Sequence, residues 1–185
     1  LEPLDFNNTY TLMLREKHAS NLGIQSISDL AAHVRKQPDA LTFAVGAEFW
    51  ERPDGFKKLM DYYDFQPESK RIKKMSIGLT YKALKEEQVD VAMGFNTDGR
   101  IAAFNFRSLT YDKDFFPVYN PAAVVRREIL DQHPEIRGAL APLAEKLTTA
   151  TMRELNATVN IEHKNAKDVA RTWLEQNNLL HGKTR

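Results

Sequence analysis

The sequence predicts an α/β fold built around a largely parallel sheet. Between residues 9 and 108, short apolar segments alternate with amphipathic ones, and the connections between them are brief. The segment VDVAMGF is almost wholly apolar, as expected for a strand that is buried on both faces. From residue 127 onward the pattern is helical only. We therefore expect an α/β block followed by a helical segment, with the chain crossing to another lobe near residues 109–118.

The first part of the chain predicts two strands and two helices. TYTLMLR alternates apolar and polar residues, which is typical of a strand. SISDLAAHVRK predicts a helix with Ser28 as its N-cap, and LTFAVG predicts a short buried strand. Pro53 is expected at the first position of the next helix. The apolar face of that helix is formed by four residues at helical spacing: Phe56, Leu59, Met60 and Tyr63.

The alternation continues before the pattern becomes helical. IKKMSIG, VDVAMGF and IAAFNFRSLTY are predicted strands, and LTYKALKEEQ is a predicted helix between the first two. PAAVVRR predicts a single further strand. Three or four successive helices are expected in the segments that follow, which are REILDQHPEIRGALAPLAEKL, TATMRELNATV and NAKDVARTWLEQNNLL.

The composition excludes several classes of protein. The 185 residues are enough for one domain or two small lobes with a real core. With 26 Lys and Arg against 25 Asp and Glu, the net charge of +1 predicts no nucleic-acid partner. The absence of cysteine excludes disulfides and zinc–thiolate sites and is compatible with an oxidising compartment. No apolar run reaches the roughly 20 residues of a membrane span, and no signal peptide is visible, so we expect a processed or truncated N-terminus.

No catalytic, metal or cofactor site is predicted. The five histidines never occur at metal-ligand spacing. The sequence contains no G-x-S-x-G, no P-loop and no G-x-G-x-x-G. Asp61 and Asp64 are i,i+3 neighbours on a polar helix face, which is typical of solvated surface charges. We therefore expect a binding protein rather than an enzyme.

The stretch TFAVGAEFWERPDGF predicts a binding site for a carboxylate. A helix that starts at Pro53 would offer free amide groups and the positive end of its dipole. Arg52 precedes it and can hold a carboxylate through two parallel hydrogen bonds. Both follow a predicted strand, at the sheet edge where open α/β folds bind ligands. The alternative is an ordinary surface ion pair between Arg52 and Glu48 or Glu51.

Three aromatic residues are predicted at the mouths of loops. Tyr10 follows Asn7-Asn8-Thr9, Phe95 follows a buried strand, and Tyr119 lies in FFPVYNP. Rings that face one cleft would bind a quaternary ammonium ion, because such a cation cannot donate hydrogen bonds and is attracted to ring faces. The alternative is that these residues belong to the core.

Six segments carry a resemblance to a known family. FNNTYTLMLR, GAEFWERPDGF, GLTYKAL, VDVAMGFNTDGRI, FFPVYNPAAVVR and DVARTWLEQNNLL, in that order, resemble the substrate-binding proteins of ABC importers for glycine betaine, choline and carnitine (the ProX/OpuC type). The resemblance implies a type II periplasmic binding protein fold, in which the ligand closes two lobes about a hinge. It further implies that this chain lacks the family's N-terminal portion, roughly the first hundred residues, and contains one complete lobe plus the C-terminal part of the other.

The resemblance also implies domain boundaries. Residues 1–8 are expected to form a hinge segment, and residues 9–108 the second ligand-binding lobe. Residues 109–118 would cross the hinge again, and residues 119–185, a strand plus helices, would form the C-terminal part of the first lobe. Apolar residues of that part, such as Leu140, Leu143, Leu155 and Trp173, would then be left exposed, so we expect self-association or exchange of segments between chains.

The family's site can be carried over residue by residue. Tyr10, Phe95 and Tyr119 resemble the aromatic walls that hold the trimethylammonium group, although relatives often have Tyr where this chain has Phe95. Asn8 stands beside Tyr10, at a position where relatives can carry an acid. Arg52 resembles the arginine that binds the ligand carboxylate. Phe49 and Trp50, which match no ligand contact, are expected to be packing residues.

The resemblance therefore implies an extracytoplasmic component of an ABC importer for osmoprotectant quaternary ammonium compounds, periplasmic or anchored at the cell surface, whose partner is a membrane permease. A fusion of the binding protein to that permease is a variant of this hypothesis. The competing hypothesis is the ligand-sensing effector domain of a LysR-type transcription regulator, which shares the bilobal fold. A small enzyme on the same scaffold is the third.

Overall fold

A computed structural model describes residues 1–180, so the last five residues of the predicted segment 119–185 lie outside the described part of the chain. The chain divides into two compact units. The larger unit comprises residues 9–96 and 100–117, and the smaller one residues 1–8, 97–99 and, of the described chain, 118–180. Residues 109–117 of the predicted hinge segment 109–118 belong to the larger unit, where Leu109 is buried in the core and Tyr111 and Phe116 pack against it. Whether the two units act as hinged lobes stays a prediction.

A five-stranded sheet forms the centre of the larger unit, with the strand order β3-β2-β4-β1-β5. Strand β2 is parallel to β3 and β4, whereas β1 is antiparallel to both of its neighbours, β4 and β5. Four strands therefore run in one direction and β1 runs against them. The strands are β1 (Tyr10–Arg15), β2 (Phe43–Gly46), β3 (Ile72–Met75), β4 (Val91–Phe95) and β5 (Phe106–Ser108).

Helices cover both faces of this sheet. Leu12 and Leu14 of β1 belong to the core beneath one face, and Met13 between them belongs to the core on the other, as the two-residue repeat of a strand requires. The α/β prediction is thus confirmed. The helices of the larger unit are α1 (Glu16–Leu22), α2 (Ile27–Lys36), α3 (Ala47–Glu51), α4 (Phe56–Tyr63), α5 (Ile77–Lys85) and α6 (Arg100–Ala103).

The starts of two predicted helices were wrong. The N-cap of α2 is Ser26 rather than Ser28, because the Ser26 hydroxyl accepts from the Asp29 amide while the Asp29 carboxylate accepts from the Ser26 amide. Pro53 is not in a helix. It lies in the turn between α3 and α4, and α4 begins at Phe56 after Gly55. The predicted anion site on a helix starting at Pro53 therefore does not exist.

One predicted strand is shorter than expected, and another was wrong. The first three residues of IAAFNFRSLTY belong to the four-residue helix α6, which ends at Ala103. Within this segment only Phe106–Ser108 pairs as a strand, β5. The segment PAAVVRR forms no strand within the described residues. Instead, Ala122 makes an isolated bridge with Pro3, and the Leu4 amide donates to the Pro121 carbonyl at 2.7 Å. The two valines favour an extended backbone, but a strand also requires a continuous partner.

The smaller unit is mainly helical, and the prediction of three or four successive helices is confirmed by α7 (Arg127–Gln132), α8 (Glu135–Lys146), α9 (Thr149–Asn160) and α10 (Ala166–Gln176). Phe6 and Val169, each 9% exposed, are the buried hydrophobic side chains of this unit among residues 1–180. All other buried hydrophobic residues belong to the larger unit. Over the same range, no helix is both long and apolar enough to span a bilayer.

Candidate functional site

Two of the predicted aromatic residues are direct neighbours on adjacent strands. Tyr10 begins β1 and Phe95 ends β4, and the antiparallel register places the two residues opposite each other. Their ring centroids are 5.0 Å apart with an interplanar angle of 26°. Both side chains are half-buried. The alternation that predicts β1 thus puts two partly exposed rings together at one end of the sheet.

Two further rings extend this pair into an aromatic cluster. Phe49 of α3 is buried and stacks on Tyr10 at 4.5 Å, so the expectation that it is a packing residue is confirmed. Phe116 lies 5.9 Å from Tyr10 and 6.0 Å from Phe49. The sequence pattern does not single out Phe116, although it stands in the same FFPVYNP segment as Tyr119. We refer to Tyr10, Phe49, Phe95 and Phe116 as the aromatic cluster.

Helix α5 fixes the end of β4 and with it the position of Phe95. The Phe95 amide donates to the hydroxyl oxygen of Tyr81, which is fully buried, with an N···O distance of 2.7 Å. A side chain at Gly94 would collide with that hydroxyl group and with Met13. Gly94 is therefore required at this place because Tyr81 approaches the strand backbone so closely.

Arg52 lies beside the cluster, with its guanidinium carbon 5.7 Å from the centroid of the Tyr10 ring. Its Nε and Nη2 donate to the two carboxylate oxygens of Asp54 at 2.9 and 2.8 Å. Its Nη1 is 3.9 Å from the Glu48 carboxylate. The alternative prediction is a surface ion pair between Arg52 and Glu48 or Glu51. The structure shows the Glu48 contact and adds Asp54 as the bidentate partner. The planar group that would bind a ligand carboxylate is thus already engaged by a carboxylate.

The charges around Tyr10 and Arg52 shift two pKa values. Burial, followed by the negative charge of Glu48, raises the pKa of the Tyr10 hydroxyl, with Asp54 acting in the same direction and Arg52 against it. The hydrogen bonds from Arg52 lower the pKa of the Asp54 carboxyl. Near neutral pH, Tyr10 is therefore a neutral phenol and Asp54 a carboxylate, and the rings lie in a field to which carboxylates contribute.

Asn8 and Tyr119 belong to the smaller unit. The Asn8 amide donates to the Tyr119 carbonyl at 3.3 Å, and the Tyr119 amide donates to the Asn7 side-chain oxygen at 3.0 Å. The Asn8 side-chain oxygen accepts from the Thr97 hydroxyl at 2.7 Å. Tyr119 is 37% exposed. The structure thus brings Tyr10, Phe95 and Arg52 together in the larger unit, and Asn8 and Tyr119 together in the smaller one.

Trp50 contacts two lysines outside the cluster. The Nζ atoms of Lys57 and Lys74 are 5.0 and 4.4 Å from its ring centroid, and both lysines pair with Glu51 at 4.0 and 3.9 Å.

Within residues 1–180, no group of three or more His, Asp or Glu side chains is placed to hold a metal ion. The chemistry of the cluster is therefore that of ring faces beside a guanidinium–carboxylate pair. Exposed ring faces attract a cation, and a guanidinium binds a carboxylate.

The chain matches the model of a known family over nearly its whole length. The profile of the family "Substrate binding domain of ABC-type glycine betaine transport system" matches residues 1–176. The chain therefore belongs to this family, as the resemblance of its six segments predicts. Because the family consists of transport substrate-binding domains, the prediction of a binding protein rather than an enzyme is confirmed.

Three relatives support this assignment. The chain is 42% identical to a glycine-betaine-binding protein of Pseudomonas aeruginosa, over 97% of this chain and 60% of that protein. It is 40% identical to the carnitine transport binding protein OpuCC of Listeria monocytogenes, over 96% of this chain and 56% of that protein. The crystal structure of a glycine betaine/carnitine/choline ABC transporter matches with a TM-score of 0.88 and 34% identity, over 97% of this chain and 64% of that one.

These matches confirm the type II periplasmic binding protein fold. The chain spans about 60% of the length of the curated relatives that it matches. Neither the family nor these relatives support the alternative of a regulator's effector domain.

Proposed function

We propose that this chain is the extracytoplasmic substrate-binding component, or part of one, of an ABC importer for quaternary ammonium osmoprotectants such as glycine betaine, carnitine and choline. The half-buried rings of the aromatic cluster, Tyr10, Phe95 and Phe116, would bind the methylated ammonium group. Arg52 would bind the carboxylate where the ligand has one. The membrane permease of the transporter would be the protein partner. Tyr119 and Asn8, which the resemblance assigns to the same ligand, are proposed contacts to be tested by their own variants.

One observation carries the proposal. The half-buried Tyr10 ring stacks on the buried Phe49 and neighbours the half-buried rings of Phe95 and Phe116. Arg52 lies 5.7 Å from the Tyr10 ring centroid. Rings and a guanidinium at this separation suit a zwitterion whose methylated cation and carboxylate are a few bonds apart. A trimethylammonium group has no N–H to satisfy, so ring faces replace its water without leaving an unmade hydrogen bond.

The proposal is tested on the protein with the N-terminal portion that the resemblance implies restored. It is titrated with glycine betaine, carnitine, choline and proline while tryptophan fluorescence is monitored. We expect saturable binding of the methylated ammonium compounds, with proline weak or silent. Tyr10→Ala removes the central ring of the cluster and should weaken all three ligands alike, by roughly 2- to 30-fold, since one cation–π contact contributes about 0.5–2 kcal/mol.

Arg52→Ala separates the two halves of the ligand. It should weaken glycine betaine and carnitine by about tenfold or more and leave choline nearly unchanged, because choline has no carboxylate. Lys58→Ala is the matched control, since it removes one positive charge from an exposed position on α4. Silence of a folded protein toward all four compounds would exclude the proposed function. Equal losses for choline and betaine in Arg52→Ala would exclude the role of Arg52.

We also propose that the smaller unit mediates self-association. Its helices leave a groove of about 330 Å³. The groove is lined mainly by apolar, half-buried residues, including Leu143, Leu147, Leu155, Val159 and Trp173. Apolar surface of this kind is stabilised by a second polypeptide. A second copy of the chain can supply it through the same unit.

A further inference from the structure

The carboxylate of Asp54 is already hydrogen-bonded to the Arg52 guanidinium, which the proposed function assigns to the ligand carboxylate. Asp54 is two residues from Arg52 and holds Nε and Nη2 of its guanidinium with hydrogen bonds of 2.9 and 2.8 Å. This side-on, bidentate geometry is also the one in which a guanidinium best binds a ligand carboxylate. The Asp54 side chain is 56% exposed, so it can leave the pair and be solvated.

We propose that Asp54 is a specificity-determining residue, which disfavours ligands that carry a carboxylate relative to ligands that carry only the methylated ammonium group. The inference rests on the proposed function. A ligand carboxylate must displace Asp54 or share Arg52 with it, whereas choline binds the rings without disturbing the pair. The cost of displacement lowers the affinity for glycine betaine and carnitine alone.

The field at the rings acts in the same direction. Burial raises the pKa of the Tyr10 hydroxyl, and the negative charges of Glu48 and Asp54 act in the same direction. A ligand that is purely cationic is attracted by these carboxylates. A zwitterion brings its own negative charge toward them and loses part of that attraction.

A purely structural role for Asp54 is less consistent with the contacts. The turn between α3 and α4 is closed by the main chain, since the Gly55 amide donates to the Arg52 carbonyl at 3.1 Å. Arg52 is the C-cap of α3, and its own amide donates to the Glu48 carbonyl at 3.0 Å. The Asp54 carboxylate therefore acts on the Arg52 guanidinium, while backbone hydrogen bonds hold the turn.

The test compares Asp54→Asn with Glu51→Gln by calorimetric titration of the protein with glycine betaine and with choline. Glu51 is the matched control, because it is an exposed acid in the same segment whose carboxylate pairs with Lys57 and Lys74. Asp54→Asn should tighten glycine betaine by about two- to five-fold, the range expected when an exposed ion pair no longer competes. Choline should be unchanged or slightly weaker, and Glu51→Gln should change neither ligand.

The outcomes separate the two proposals. Unchanged betaine affinity in Asp54→Asn would overturn the competition. Weaker betaine binding would overturn it too, and would show that Asp54 positions Arg52 for the ligand. If choline binds the wild type, Asp54→Asn and Glu51→Gln alike, the proposed function stands whatever the result for Asp54. Silence of the wild type toward both ligands would overturn the proposed function, and the role of Asp54 with it.

Discussion

At the residue scale, Tyr81 connects helix α5 to the end of strand β4. Its hydroxyl oxygen accepts the Phe95 amide hydrogen, and the Arg100 guanidinium carbon lies 3.9 Å from its ring centroid. The position of Phe95 in the aromatic cluster therefore depends on a residue that is fully buried and does not itself belong to the cluster.

Tyr81→Phe should lower the free energy of unfolding by about 1–2 kcal/mol, because the Phe95 amide loses its acceptor. It should also weaken choline binding, since the end of β4 is held less firmly. The measurements are urea unfolding and calorimetric titration. The matched control is Tyr62→Phe, because the exposed Tyr62 hydroxyl donates to the Asp114 carbonyl at 3.3 Å. This variant should lose less than about 0.5 kcal/mol of the free energy of unfolding. Equal losses in the two variants would contradict the role of Tyr81.

Part of the candidate site could be predicted from the sequence at this scale. Tyr10, Phe95 and Arg52 were singled out by their places at strand ends, and they do lie together in the larger unit. Phe116 was missed because it reaches Tyr10 from a segment more than a hundred residues away in the chain, which periodicity cannot show. Asp54 was missed because a Pro-Asp-Gly turn is so common that its carboxylate carries no signal of its own.

At the scale of elements, helix α2 shows how a local motif determines where a helix begins. The Asp29 carboxylate accepts from the amides of Gln25 and Ser26 at 3.0 and 2.9 Å, and these hydrogen bonds lower its pKa. Ser26 and Ser28 both stand near the start of α2, and serine is a favourable N-cap residue. Only Ser26 has an acid three residues later that completes the reciprocal pair.

Asp29→Asn should destabilise the protein by about 0.5–1 kcal/mol at pH 7. Because the folded pKa of Asp29 lies below its unfolded value of about 3.9, its contribution is complete above that value and is lost as the pH falls through the folded pKa. The difference in unfolding free energy between wild type and Asp29→Asn should therefore shrink between pH 5 and pH 2. Asp39→Asn, in the exposed turn after α2, is the control. A difference that does not depend on pH would contradict the assignment.

The same scale shows which elements could be predicted. β1, β2 and β4 are clear because each is an apolar or alternating run that is bounded on both sides. IAAFNFRSLTY was misassigned because a short apolar run fits a helix and a strand equally well. Its first residues become α6, and the non-glycine Asn105, with φ of +53°, turns the chain into β5. PAAVVRR was misassigned because propensity predicts an extended backbone but not a partner strand.

At the scale of the whole molecule, the two units differ sharply in how they bury apolar side chains. The larger unit contains both hydrophobic cores, whereas Phe6 and Val169 are the buried hydrophobic side chains of the smaller unit within residues 1–180. Leu140, Leu143, Leu155 and Trp173, which we expected to be exposed, are half-buried. They are partly covered by their own helices. The groove beside α9 and α10 remains accessible to a second polypeptide.

We expect this chain to self-associate through that groove, with a molar mass that rises with concentration in gel filtration with light scattering. Leu155→Lys should shift the equilibrium toward the monomer, because a charge in the groove must be desolvated when a second chain covers it. Val124→Lys is the matched control, since Val124 is 96% exposed and does not line the groove. Circular dichroism must show the same helical content in both variants. A wild-type chain that is monomeric at every concentration, or an equal shift in both variants, would show that the groove does not mediate self-association.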